Sequence, residues 1–383
     1  MSRIPYARQS VSQADIDAVS EVLRSDWLTQ GPAIERFEAA VAAYCGGGVH
    51  AVAVHSGTAA LHLGCMALGL GPGGLLWTAA NSFVASANCA RYCGADVDFV
   101  DVDARTGNLA LDALSAKLER AARDGRLPAV VVPVHFGGRA CDMPALAALA
   151  ARYGFKLLED ASHAIGAEYA DGRVGNCAYG DMAVLSFHPV KIVTSAEGGM
   201  LLTRDAAAAA RLRQLRSHGI TRDASRMHGE PHGPWYYEQL ELGYNYRMTD
   251  LQAALGASQL GRIGEFLQRR RALAARYAGV LRGLPLELPP PDERSAWHLY
   301  VVQVDAGVRR RTVERMRAAG IEVNVHYIPI HLHPYYRALG FREGDFPAAE
   351  RFYARAISLP LFPALSEAEQ DRVGSALRDA LRP

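Results

Sequence analysis

Lysine is scarce in this 383-residue chain: of 41 lysines and arginines, only Lys117, Lys156 and Lys191 are lysines. Wherever a positive charge suffices, the sequence uses arginine. A guanidinium stays protonated and is a poor nucleophile, whereas a desolvated lysine can lose its proton and form an imine. Lys191 stands in Ser186-Phe-His188-Pro-Val-Lys191-Ile-Val-Thr194-Ser-Ala-Glu-Gly198-Gly199. There an apolar stretch ends in a hydroxyl, a proline and the rare lysine, and a glycine pair then turns the chain. Poor solvation at such a place lowers the amine's pKa and favours imine chemistry. The bland reading is a lysine whose head reaches solvent; Lys117 and Lys156 are read that way, as surface residues.

Two further clusters are candidates for chemistry. Leu157-Leu-Glu-Asp160-Ala-Ser-His163 places an acidic pair at the end of an apolar run, and His163 follows Asp160 at a spacing that lets both face one site. A loop acid capping the next segment is the plain alternative. Ser56-Gly57-Thr58-Ala-Ala-Leu61 sits where a strand is expected to turn into a helix. Free amides and the positive end of the helix dipole favour a phosphate there, although a simple N-cap would look the same. By contrast, Gly69-Leu-Gly71-Pro-Gly-Gly74 matches GxGxxG only literally. A dinucleotide fingerprint must follow a strand and open a helix, whereas this one follows a helix and precedes a strand.

Residues so spaced need a sheet to converge, and the apolar patterning supplies one. Helical periodicity is expected over 14–24, 33–44, 58–68 and 143–153. Strands are expected over 50–55, 75–77, 98–100, 129–134, 156–158, 183–187 and 200–203. This alternation predicts a mainly parallel sheet with helices on both faces. Thr249 to Gln252 reads as a capping box opening one long helix to about Leu281, and the LPLELPPP run ending at Pro291 then breaks all regularity. Beyond it, 297–304 and 322–325 read as strands, and 310–319 and 348–357 as helices. The expected organisation is therefore a large α/β domain over 1–256 and a smaller α+β domain over 257–383.

Composition narrows the function classes. Half the residues are apolar, mean hydropathy is −0.03 and the formal charge is +1, without blocks of like charge. Neither a nucleic-acid surface nor an anionic-membrane surface is suggested. The most apolar stretch, 129–136, is far short of the ~20 residues of a spanning helix, and MSRIPYARQS has no signal-peptide core. Six cysteines without a CxxC pair read as reduced thiols of a cytoplasmic protein. His326, His331 and His333 cluster, but no carboxylate or cysteine of that segment completes a ligand set, so no metal is expected.

Taken together, SGTAAL, EDASHAIG, SFHPVK with EGG, and GYNYRMTDLQAALG resemble the DegT–DnrJ family of sugar aminotransferases. That family uses pyridoxal phosphate and has the aspartate-aminotransferase-like fold (fold type I). The likeness spans essentially the whole chain, from IPYARQS and SDWLTQGP through RSHGITRD and SAWHLY to VNVHYIPIHLHPYY. It implies that Lys191 is the Schiff-base lysine and proton shuttle, and that Asp160 pairs with the pyridine nitrogen. It further implies that Phe83 stacks on the ring with His163 near the other side, and that Gly57, Thr58 and Ser186 hold the phosphate. Asn245 would reach the phosphate of the neighbouring subunit's cofactor, making a homodimer. Tyr6, Trp27, Leu28, Thr29, His326 and Tyr327 would line a sugar-nucleotide site.

IPYARQS, FVASANC, RSHGITRD and VNVHYIPIHLHPYY carry a narrower likeness, to members that aminate C4 of UDP-linked 4-keto-6-deoxy sugars towards pseudaminic acid, with L-glutamate as donor. Two departures from the family pattern stand out. The segment from Gly71 to Leu76 lacks an acidic residue, and Ala79-Ala80-Asn81 replaces a more polar or proline-containing approach to Phe83. Rival readings are an aminotransferase for another nucleotide-linked keto sugar, a sugar dehydratase on the same cofactor, and a non-catalytic cofactor sensor. Lys191 argues against the dehydratases, which carry histidine in its place, and the lack of a basic stripe against the sensor.

Overall fold

A computed structural model describes residues 3–382. The patterned runs form seven strands: β1 (His50–Val54), β2 (Leu75–Ala79), β3 (Asp96–Val100), β4 (Val130–Val132), β5 (Lys156–Asp160), β6 (Met182–Ser186) and β7 (Gly199–Thr203). They make one sheet in the order β1-β7-β6-β5-β4-β2-β3. Only β7 runs against its neighbours; the other adjacent pairs are parallel. All five residues of β6 and of β7 are buried, as expected for strands covered on both faces.

Helices α1 (Gln13–Arg24), α2 (Pro32–Tyr44), α3 (Gly57–Ala67), α4 (Ala85–Tyr92), α5 (Leu111–Arg123), α6 (Met143–Tyr153) and α7 (Ala206–Leu215) fill the connections. Ser56 caps α3 by accepting from the amide of Ala59 at 3.1 Å. The GxGxxG run follows α3, turns at Gly69 with φ +81°, and leads into β2; it is a helix stop.

The capping box at Thr249 and Gln252 is present, but the single long helix is not. It divides into α8 (Asp250–Gly261) and α9 (Ile263–Val280), because Arg262 leaves helical geometry with ψ 7°. Glycines at 261 and 264 weaken the helix there. The break lets α8 pack on α1 and α2, while α9 runs on into a second core. That core gathers Leu273 and Tyr277 of α9 with Tyr300, Met316, Ile357 and Leu377. It is built on β8 (Tyr300–Gln303) paired antiparallel with β9 (Ala356–Leu359), with α10 (Ala306–Ala318), α11 (Pro347–Arg355) and α12 (Glu367–Leu381) around them.

Three further expectations are corrected. Residues 322–325 form no strand: Ile321 and Asn324 make isolated bridges to Ile4 and Ser358, and the Asn324 side chain bonds the next amide instead. The helix expected over 348–357 stops at Arg355, because the following four residues pair as β9. Lys117 is no plain surface residue. It is largely buried, 2.7 Å from Asp98 and over the ring of Trp77, whereas Lys156 is an exposed partner of Asp181. Among the described residues no helix is long and apolar enough to cross a membrane.

Candidate active site

The candidate residues meet at the carboxyl edge of the sheet. Asp160 ends β5, Ser186 ends β6, Ser56 and Gly57 follow β1, and Phe83 follows β2. Because these strands are parallel, their C-terminal ends open on the same side, where the loops form a crevice. Gly199 begins the antiparallel strand at the same edge. A Cβ there would stand 2.3 Å from the Ser56 carbonyl oxygen, so only glycine lets the chain pass so close to the start of α3.

That helix start has the chemistry of a phosphate cradle. The first amides of a helix have no intrahelical acceptor, so Gly57 and Thr58 present free N–H groups at the positive end of α3. A Cβ on Gly57 would lie 3.1 Å from the Cβ and 3.3 Å from the Oγ of Ser186, and 3.6 Å from the Oγ of Ser162. Two hydroxyls therefore border the same space. Asp160 is buried, accepts from the Ser86 hydroxyl at 2.7 Å and from the Ser162 amide at 3.1 Å, and keeps lone pairs free for a further donor. Amides and hydroxyls on one side and a buried carboxylate on the other fit a phosphorylated, protonatable heterocycle such as pyridoxal phosphate.

Lys191 lies in a closed loop between β6 and β7. Phe187 donates its amide to Gly198 O, Ser195 donates to Phe187 O, and Lys191 donates its own amide to His188 O. Burial brings the amine down to about 8 against the opposing pull of Asp160. Three histidines near it are held neutral. His326 is lowered to about 3 by burial and then by Lys191; His163 lies well below the ordinary value for the same reasons, and His298 through burial, then His163 and Lys191. His163 Nδ1 accepts from the Gly137 amide at 3.3 Å, which leaves the proton on Nε2, 3.2 Å from the hydroxyl of Tyr327. His326 Nδ1 is 2.7 Å from the Ser358 hydroxyl.

Of the residues singled out from the sequence, the fold brings together Lys191, Asp160, His163, Gly57, Ser186, His326 and Tyr327, with Thr58 next to Gly57. Tyr6 joins them through its ring, 5.8 Å from His326, and Phe83 through its own, 6.0 Å from Tyr327. Trp27, Leu28, Thr29 and Asn245 are exposed. Leu28 and Thr29 are tied to the start of α8, through the Asp250 amide and a bridge to Thr249, and Asn245 to Ser217.

Several residues of the site escaped sequence reasoning. Ser86 orients Asp160. Asn81 accepts from the Tyr327 amide at 3.1 Å, so the unusual Ala79-Ala80-Asn81 approach holds the pocket wall rather than loosening it. The His298 ring lies tilted against that of His163 at 4.5 Å, and its Nδ1 has no hydrogen-bond partner among the described residues. A buried asparagine after a strand was the one available signal, and it pointed to no partner. His331 pairs with Glu350 at 2.8 Å, and among the described residues no group of three His, Cys, Asp or Glu is placed to hold a metal ion.

The model of the DegT/DnrJ/EryC1/StrS aminotransferase family matches residues 9–378. The chain belongs to this family. It is 42% identical to the spore coat polysaccharide biosynthesis protein SpsC of Bacillus subtilis, covering 99% of this chain and 97% of SpsC. Its structure is similar to that of Helicobacter pylori PseC, an aminotransferase involved in pseudoaminic acid biosynthesis, with a TM-score of 0.90, 28% identity and 99% of each chain covered. It is also similar to the PMP-form of Spr1654 from Streptococcus pneumoniae, with a TM-score of 0.89, 28% identity and 99% of each chain covered. As a DegT/DnrJ/EryC1/StrS aminotransferase with fold type I architecture, the protein is a pyridoxal-phosphate-dependent sugar aminotransferase.

Proposed function

We propose that this aminotransferase transfers an amino group from L-glutamate to C4 of a UDP-linked 4-keto-6-deoxy sugar, in a pathway of the pseudaminic acid type. The observation that carries the aminotransferase chemistry is the Lys191 amine, desolvated to about 8 and set near Asp160 beside a phosphate cradle. Likeness to PseC supports the sugar. The higher identity to SpsC favours a second reading, in which the sugar nucleotide serves a surface polysaccharide.

Pyridoxal phosphate supplies the electron sink that stabilises charge at the substrate carbon when bound. The residues of this chain do the rest. Gly57, Thr58 and Ser186 hold the phosphate. Asp160 keeps a proton on the ring nitrogen through an ion pair, and Ser86 keeps Asp160 aimed. Lys191 would take and return a proton at Nζ, the role its desolvated amine suits. Phe83 and His163 would pack on the cofactor ring, and Tyr6, His326 and Tyr327 would form the sugar wall.

Trp27, Leu28, Thr29 and Asn245, exposed on the single chain, suit a homodimer in which they complete the partner's site. Purified protein incubated with glutamate should pass to the amine form of the cofactor. UDP- and dTDP-linked 4-keto-6-deoxy sugars would then be added one by one. Rapid return of the aldehyde-form absorbance with the altro-configured UDP-4-keto sugar alone is expected. Return with another sugar moves the substrate and keeps the chemistry, whereas no spectral change with glutamate removes it as donor.

A further inference from the structure

A cavity of about 520 Å³ opens at the amino ends of β2 and β3, on the edge of the sheet opposite to the Lys191 site. Leu75, Leu339 and Phe341 give it an apolar side, and the rest is charged. Two of its cations are engaged within the protein. Arg91 bonds Asp96 at 3.1 Å, and Lys117 lies 2.7 Å from Asp98. Arg120 and Arg126 are not engaged: the guanidinium of neither has a hydrogen-bond or ion-pair partner among the described residues. Trp77 lines the same cavity, and its buried indole Nε1 has no acceptor among the described residues either.

We propose that this cavity is a second binding site, for a small molecule carrying a diphosphate on an apolar or aromatic body, such as a nucleoside diphosphate. Donors without acceptors call for an acceptor-rich ligand. Each guanidinium is a planar fork that matches two oxygens of a phosphate. Asp96 and Asp98 would repel such an anion, but each is neutralised by its own cation. Burial holds Lys117 below its ordinary value against the pull of Asp98, and Arg120 adds to the lowering. An anion between these cations relieves that repulsion. The volume lies within the roughly 300–1,000 Å³ of small-molecule sites and exceeds what a bare phosphate fills. Leu75, Leu339 and Phe341 would receive the apolar body.

Two of the cavity walls lead to the active site. Arg91 stands near the end of α4, the helix whose Ser86 donates to Asp160 at 2.7 Å. Its Nε donates to the Tyr335 hydroxyl at 3.4 Å, and Tyr335 belongs to the stretch that runs from Tyr327 to Leu339 and Phe341. A ligand seated here touches both, α4 through Arg91 and the 335–341 stretch through its apolar side chains. The inference does not depend on the sugar proposed above.

The test follows amide hydrogen exchange of the cofactor-loaded protein, peptide by peptide, as UDP is added. UDP should slow exchange over 117–126 and 335–341, whatever it does near Lys191. Arg120→Ala combined with Arg126→Ala should erase that protection. The double variant should melt as the wild type does, because both side chains are exposed and unpaired. Half-protection should need about tenfold more pyrophosphate than UDP, since pyrophosphate has no apolar body to bury. Protection that survives in the double variant, or that is confined to the Lys191 edge, would overturn the proposal. Equal half-protection by pyrophosphate would overturn it too, because the apolar side would then contribute nothing.

Discussion

The hydroxyl of Tyr327 lies 3.2 Å from Nε2 of His163, joining a C-terminal segment to the edge of the seven-stranded sheet. The backbone amide of the same tyrosine is held by Asn81, so one residue is clamped at both ends by the sheet side of the crevice. His163 is fixed in turn by the Gly137 amide and by the ring of His298. Tyr327→Phe removes one bond and leaves the ring. Stability should fall by about 1 kcal/mol, read as a lower urea midpoint. A loss above about 3 kcal/mol would mean that Tyr327 holds more than this bond.

Lys191→Arg keeps the charge and loses both imine formation and the proton shuttle. The variant should fold with an unchanged far-ultraviolet spectrum while turnover drops by roughly 10⁴-fold or more. In the wild-type apoprotein, trapping of an aldehyde on Lys191 should rise with pH and reach half its maximum near pH 8, where the amine loses its proton. A midpoint near 10 would contradict the desolvated setting.

Asp160→Asn preserves size and removes the ion pair with a protonated ring nitrogen. Cofactor should stay bound, and single-turnover rates should fall about a hundredfold, equivalent to roughly 3 kcal/mol in the barrier. Rates equal to wild type would take Asp160 out of its role.

Gly57→Ala adds a Cβ only 3.1 Å from the Cβ of Ser186, in the space assigned to the phosphate. The backbone is helical there and tolerates alanine, so melting of the apoprotein should change little. The dissociation constant for pyridoxal phosphate should rise about tenfold, close to 1.4 kcal/mol. Unchanged affinity would place the phosphate elsewhere.

His163, His298 and His326 are buried and neutral in the folded chain, His326 at about 3. Unfolded histidine titrates near 6.5, so between these values the unfolded state binds more protons and folding stability must rise with pH. The contribution is fully present above pH 6.5 and is lost as pH falls towards 3. His326 should cost about 2 kcal/mol at pH 5 relative to pH 7, and His163 and His298 should act in the same direction. Melting temperatures of wild type and His326→Gln across that range test this: the variant should show the shallower slope, and parallel slopes would refute it.

Much of the site was legible from residue types alone. Lys191 stood out because a chain that uses arginine elsewhere kept a lysine inside an apolar, glycine-bounded loop. Gly57 and Asp160 were legible because period-2 and period-3.6 patterning marks where strands end and helices begin, and those ends are where free amides and loop carboxylates sit. The same patterning misjudged 322–325, where one asparagine turned its side chain onto the backbone, and it ran α8 and α9 together across Arg262.

The sequence by itself determined the chemistry: an imine-forming lysine, a carboxylate, a helix start for a phosphate, and an alternating pattern able to build a parallel sheet. Only the tertiary structure decided what orients them. Ser86 meets Asp160 across 74 residues, His163 meets Tyr327 across 164, and Asn81 meets Tyr327 across 246. Hydrophobic periodicity reports which face of an element is buried but not which element covers it. Partners so far apart in sequence are chosen by the packing of whole strands and helices.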